Sequence, residues 1–116
     1  MSEVVWEKRV ADARAWADRR GETALLAVIE ELAAELPPDS GVANFERASS
    51  FDSAGQPDLA VALYQLALGQ GLDEQRRRRA VIQLAGSLRE LGRHEESSGL
   101  LESELDNGPD ELDQEK

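Results

Sequence analysis

A chain of 116 residues with 24 acidic and 13 basic side chains has a formal net charge of −11, and a field of that sign repels nucleic acid and anionic membranes. The absence of cysteine excludes a disulfide framework, thiolate metal sites and thiol nucleophiles. The length suits one domain able to bury about two-thirds of its unfolded surface, and sparse aromatics among abundant Ala, Leu and Glu predict an all-α protein.

The opening, MSEVVWEKRV, has no apolar leader, and no run reaches the roughly 18 apolar residues of a membrane span, so a cytoplasmic protein is expected. A first helix is expected from a cap at Ser2 to about Gly21, with Trp6, Val10, Ala13 and Ala17 on one stripe. A second follows from about Glu22, with Leu25, Ile29, Leu32 and Leu36 inward, and Pro37-Pro38 ends it because neither supplies a helix N–H. Asp39 or Ser40 caps the third, which runs to about Ala54 with Phe45, Ala48 and Phe51 inward. After Gly55, Pro57 or Asp58 opens the fourth, in which Leu59, Leu63, Leu66 and Ala67 recur. This helix is apolar nearly all round, with Gln65 and Gly69 as its polar strip, and therefore belongs in the middle of a stack. Gly71 closes it. Asp73 caps a fifth helix carrying Val81, Leu84, Ala85, Leu88 and Leu91, ended by Gly92 as a C′ glycine. The sixth spans about His94 to Leu105, with a polar face suited to a terminal cap. The acidic residues 110–116 have nothing to bury and are expected to be disordered.

The stretches Gly41–Leu72 and Arg78–Pro109 each read as helix, glycine, helix. A helical hairpin that small cannot bury its own apolar face and must stack on a copy of itself. Three units are expected within a single domain 1–109, at about 7–40, 41–77 and 78–109. In the second unit Ala48, Phe51, Gly55, Ala60, Tyr64 and Ala67, and in the third Leu84, Ala85, Leu88, Gly92, Leu101 and Pro109, fall at offsets that resemble the tetratricopeptide repeat. The first unit keeps Gly21, Ala33 and Pro38. Ser97 and Glu104 stand where the family has small apolar residues, as suits a cap. FERASSFDSAG and the run from Ala62 to Glu96 look like small stand-alone bacterial proteins of that family. The resemblance implies a right-handed array of helical hairpins. It is nearly silent on activity.

No P-loop, HExxH, GxGxxG or nucleophile-elbow pattern occurs in the sequence, so no catalytic residue, cofactor or metal site is expected. His94 reads as an exposed residue at a helix start. Four consecutive arginines, Arg76 to Arg79, spread round a helix and cannot form one flat phosphate-binding face, so they are expected to be solvated or paired with nearby acids. By the resemblance, the first helix of each unit lines a concave groove. The slots here are Phe45, Glu46, Ser49 and Asp52, then Arg79, Ile82, Gln83, Gly86 and Arg89. The family's carboxylate-clamp slots hold Ala11, Ala15, Glu46, Arg79 and Gln83, and of these only Arg79 has the needed chemistry. Asp52 and Arg89 occupy equivalent slots and are expected to form an ion pair between units.

The expected function is a non-enzymatic scaffold offering this groove to a protein or peptide partner with an acidic segment. No nucleic-acid or membrane partner is expected. Two alternatives stand beside it. One is a regulatory sensor holding an anionic ligand with Arg79, Gln83 and Arg89. The other is a structural homo-oligomer subunit, resting on the apolar fourth helix and on Trp6 and Trp16, of which one is expected inward and the other partly exposed as the route to a homodimer.

Overall fold

Six helices alternate with short turns: α1 (Glu3–Arg20), α2 (Glu22–Ala33), α3 (Gly41–Ser53), α4 (Pro57–Gln70), α5 (Glu74–Glu90) and α6 (His94–Asp113). The computed structural model describes residues 3–113, so the cap expected at Ser2 lies outside the described residues. Each helix packs on the next in sequence, and α3 also meets α5. This is the all-α stack of hairpins that the sequence pattern predicts.

The local causes are visible at the helix ends. Ser40 caps α3 by accepting from the Ala43 N–H at 3.1 Å, and Asp73 caps α5 by accepting from the Arg76 N–H at 3.1 Å. Pro57 opens α4, where its missing N–H costs nothing. The second and third hairpins close with one motif used twice. Gly55 and Gly92 adopt φ of 77° and 83°, and the amides of Gln56 and Arg93 reach back to the carbonyls of Phe51 and Leu88 at 3.0 and 2.8 Å. These are Schellman caps, in which glycine takes the left-handed position without a Cβ penalty. Measured from these glycines, α5 is longer than α3 at its N-terminal end: 17 residues against 13. Glu74 to Arg77 thus form one added helical turn.

Four expectations need correction. Helix α2 ends at Ala33 rather than at the prolines, because Pro37 disfavours helical backbone at Leu36 and the chain tightens into i→i+3 bonds at Glu35 and Leu36. In α4 the buried stripe is Ala60, Val61, Tyr64 and Ala67, while Leu59 and Leu66 are 43% and 47% exposed. Small residues face inward there because α3 approaches closely. Ser97 and Glu104 are covered rather than bare. Ser97 is buried at the position equivalent to Ala60, and Glu104 is clasped by the added turn of α5 through Arg77 at 2.8 Å. Finally, α6 continues to Asp113, past the expected end at Leu105 and into the segment expected to be disordered. Residues 114–116 lie outside the described residues.

The core is divided. Trp6, Val10, Ala13, Ala17, Leu25, Ile29 and Leu32 form one apolar cluster within α1 and α2. Phe45, Ala48, Ala60, Tyr64, Ala67, Ala80, Leu84 and Leu88 belong to another shared by the later helices. Among the described residues no Cα of α1 comes within 8 Å of α3 or α5. The first hairpin therefore joins the rest through α2.

Candidate functional site

Arg79, Ile82, Gly86 and Arg89 recur on α5 at i, i+3, i+7 and i+10, which places them on one side of the helix. Ile82 is 57% exposed. Nothing lies within 4 Å of where a Cβ on Gly86 would stand, so the stripe has an open notch. Beneath it, Phe45 is buried at 1% exposure and serves as floor rather than contact surface. The Arg79 guanidinium sits 5.6 Å from the centre of its ring, a cation–π arrangement that fixes the side chain. Tyr64, from α4, packs against Phe45 with ring centroids 6.1 Å apart. Its hydroxyl donates to Gln83 Oε1 at 2.6 Å and lies 3.4 Å from Asp52 Oδ2. Burial, and then the Asp52 charge, push the Tyr64 hydroxyl above its ordinary pKa.

Several sequence-predicted groove residues are thus already engaged. Glu46 is held by Arg14 at 2.5 Å, Gln83 and Asp52 share the Tyr64 hydroxyl, and Ser49 is half-buried. The expected Asp52–Arg89 pair does not form. Arg79 and Arg89 are exposed, and among the described residues neither has a carboxylate oxygen within 4.0 Å.

The other three arginines of the run are committed to carboxylates. Arg76 reaches Glu7 at 2.9 Å and Asp73 at 2.7 Å. Arg77 reaches Glu74 at 2.7 Å and Glu104 at 2.8 Å, and Arg78 also meets Glu74, at 3.1 Å. Hydrogen bonding to Arg77, with Arg78 adding to it, pushes the Glu74 carboxyl down to about 2. The run is therefore a set of clasps, and only Arg79 turns to the α5 stripe. At the Arg79 end of that stripe, a cleft of about 290 Å³ opens between α1, α3 and α5. Ala11, Arg14, Glu46, Gln75 and Arg79 line it, together with Glu7 and Arg76.

Arg14, Glu7 and the Tyr64 hydroxyl were not legible as parts of this site. The first unit has no clear repeat register, and nothing in a sequence marks which buried hydroxyl faces a neighbouring helix. His94 is exposed at the start of α6, as expected. Among the described residues no group of three or more His, Cys, Asp or Glu is placed to hold a metal ion, and no helix is long and apolar enough to cross a membrane.

Comparison with known proteins bears on the later hairpins. Residues 41–115 match the sequence profile described as tetratrico peptide repeat. No curated protein and no solved structure matches the chain. The profile covers α3 to α6 and leaves out the first hairpin, which also has its own apolar cluster. More than half of the sequence lies inside that match, and the glycine-capped turns at Gly55 and Gly92 repeat within it, so the chain belongs to the tetratrico peptide repeat family.

Proposed function

We propose that the chain is a protein-interaction module that holds a peptide or helix of a partner along α5. Arg79 and Arg89 grip acidic groups, and Ile82 covers an apolar residue between them. One observation carries this reading: on a chain of net charge −11, these two guanidiniums stand exposed without a carboxylate within 4.0 Å among the described residues, while Arg76, Arg77 and Arg78 each have one. Family membership supports it, since stacked helical hairpins build extended surfaces of the kind that proteins of this architecture use for binding. Ten residues of helix separate the two arginines by about 15 Å, a span that four or five residues of extended peptide cover. The engagement of Gln83 by Tyr64 favours a partner lying over the surface rather than a small anion sunk into it.

The test is recovery of partners on wild-type protein and on Arg79→Ala/Arg89→Ala, followed by titration of the segment found. Charged hydrogen bonds contribute about 1.5–3 kcal/mol each, so the double variant should bind at least tenfold more weakly, with a flatter salt dependence. Arg77→Ala, whose side chain is turned to α6, should change little. Equal losses in the two variants would reduce the site to diffuse attraction.

A further inference from the structure

The outer side of the first hairpin is a separate surface with the opposite charge preference. Along α1, Val5, Arg9, Asp12 and Trp16 fall at i, i+4, i+7 and i+11, a single stripe three turns long. Facing it are Val28 and Glu31 on α2 and Glu35 in the turn that follows, and a cleft of about 420 Å³ lies between α1 and these residues of the first hairpin. Its floor is apolar: Trp16 and Val28 are half-buried over the buried Ala13 and Leu32. Val5, 50% exposed, continues the stripe at one end.

The two tryptophans of the chain differ in what they do. Trp6 is 2% exposed, and its indole N–H donates to the Leu32 carbonyl at 2.8 Å, so it belongs to the core. Trp16 keeps part of its ring at the cleft, and tryptophan is among the residues most enriched where partners anchor. The rim supplies the sign of charge. Arg9 is neutralised by a bidentate contact to Glu35, at 2.6 and 2.7 Å. Among the described residues the ion pair of Asp12 is with the exposed Lys8, at 3.6 Å, a contact of little energy, and Glu31 is exposed.

We propose that this cleft docks an amphipathic helix of a partner protein, apolar along the side that meets Trp16 and Val28 and basic at the flanks that meet Asp12 and Glu31. Charge selects this occupant. A second copy of the chain would set the acidic rim against itself on a molecule already at −11, and nucleic acid meets the same repulsion. A three-turn groove is the length that helix-in-groove recognition uses, with anchors at i, i+3 or i+4, and i+7. The surface lies outside the family match and does not depend on the reading of α5.

The full chain is titrated with a helical peptide of about 12 residues, Leu at the anchor positions and Lys elsewhere, and with its Glu-for-Lys counterpart. Tryptophan emission and calorimetric heat are followed. The Lys peptide should bind and shift the emission to the blue, and the Glu peptide should not bind. Trp16→Ala and Asp12→Lys/Glu31→Lys should each weaken binding at least tenfold. Glu95→Lys/Glu102→Lys, the same change of charge on exposed positions of α6, should keep affinity within twofold, as should Arg79→Ala/Arg89→Ala. The Asp12/Glu31 variant alters exposed positions, so it decides the matter even where Trp16→Ala loosens the hairpin. Equal losses in the two lysine variants would overturn the proposal. So would failure of the Lys peptide to bind, or a wild-type dimer in sedimentation that Trp16→Ala abolishes.

Discussion

Replacing Gly41 by alanine sets two physical effects against each other. Gly41 is the first residue of α3, is buried, and does not have a positive φ. Helix propensity alone therefore predicts that Gly41→Ala stabilises by about 0.5–1 kcal/mol. The packing predicts the reverse. A Cβ at this position would run into the Gly71 carbonyl oxygen and stand 3.1 Å from that of Ala67. Both are backbone atoms at the C-terminal end of α4, so no side chain can rotate away and the two helices must separate. Overpacking of this kind costs about 1–3 kcal/mol, and against two backbone oxygens the upper half of that range applies; after the propensity gain, a net loss of about 1–2 kcal/mol remains. At about 4 °C per kcal/mol for a chain of this size, the thermal midpoint should fall by about 4–8 °C. Circular dichroism melts measure it, with a urea series to show that the midpoint moves while the slope does not. An unchanged or raised midpoint would mean that α3 and α4 are not in backbone contact at this end.

Two neighbouring changes probe the same region. Ala67 is fully buried on the stripe of α4 that faces inward, and Ala67→Leu should destabilise by about 1–3 kcal/mol; a variant that melts with wild type would show that the stripe is misassigned. Tyr64 is the single tyrosine, so phenolate absorbance reports on it alone. With its pKa raised by burial and by Asp52, the folded protein should show no phenolate until well above pH ~10. The raised folded value means that stability is fully present below the unfolded-chain value and declines as pH rises past it. Phenolate appearing in the ordinary range with the helical signal intact would contradict the burial of the hydroxyl. Tyr64→Phe should cost about 1 kcal/mol by leaving Gln83 without its donor.

The hairpins were legible because their punctuation is chemical. Gly55 and Gly92, Asp73 and Pro57 each perform one backbone task that few other residues can, and the structure uses them for it. What escaped the sequence is mostly rotation and side-chain reach. The apolar surface of α4 extends nearly all round, so periodicity did not say which stripe is inward. The repeat offsets already marked Ala60 and Tyr64, and the physical reason they face inward rather than Leu59 and Leu66 is how closely α3 approaches. Nothing in the sequence marks Gly41, at the start of α3, as a close contact until Gly71 is seen beside it. The candidate site shows the same limit. Arg79 and Arg89 were found by slot, whereas the engagement of Gln83, Asp52 and Glu46 depends on partners on other helices. Periodicity within one helix cannot reveal those.

The divided core leads to a last prediction. Because α1 does not approach α3 or α5, its direct ties to them are long side chains: Arg14 to Glu46 at 2.5 Å and Arg76 to Glu7 at 2.9 Å. The added turn of α5 is what carries Arg76 into reach. Solvent-accessible pairs contribute about 0.2–1 kcal/mol each, so the two together hold α1 by about 1 kcal/mol, a factor of about five in its opening equilibrium. Salt screens such contacts, since the Debye length falls from about 10 Å at 0.1 M to about 3 Å at 1 M. Apolar packing within α3 to α5 is not screened. Hydrogen exchange should therefore show α1 amides speeding up severalfold between those two conditions while the amides of α3 and α5 keep their protection. Glu7→Gln/Glu46→Gln should reproduce much of the fast α1 exchange at low salt and shrink the salt effect to what the remaining Arg9–Glu35 pair contributes. Uniform exchange changes along all six helices would instead mean that salt acts on the whole fold and that the first hairpin is not held by these ties. That result would also bear on the cleft between α1, α3 and α5, whose lining includes all four residues of these pairs.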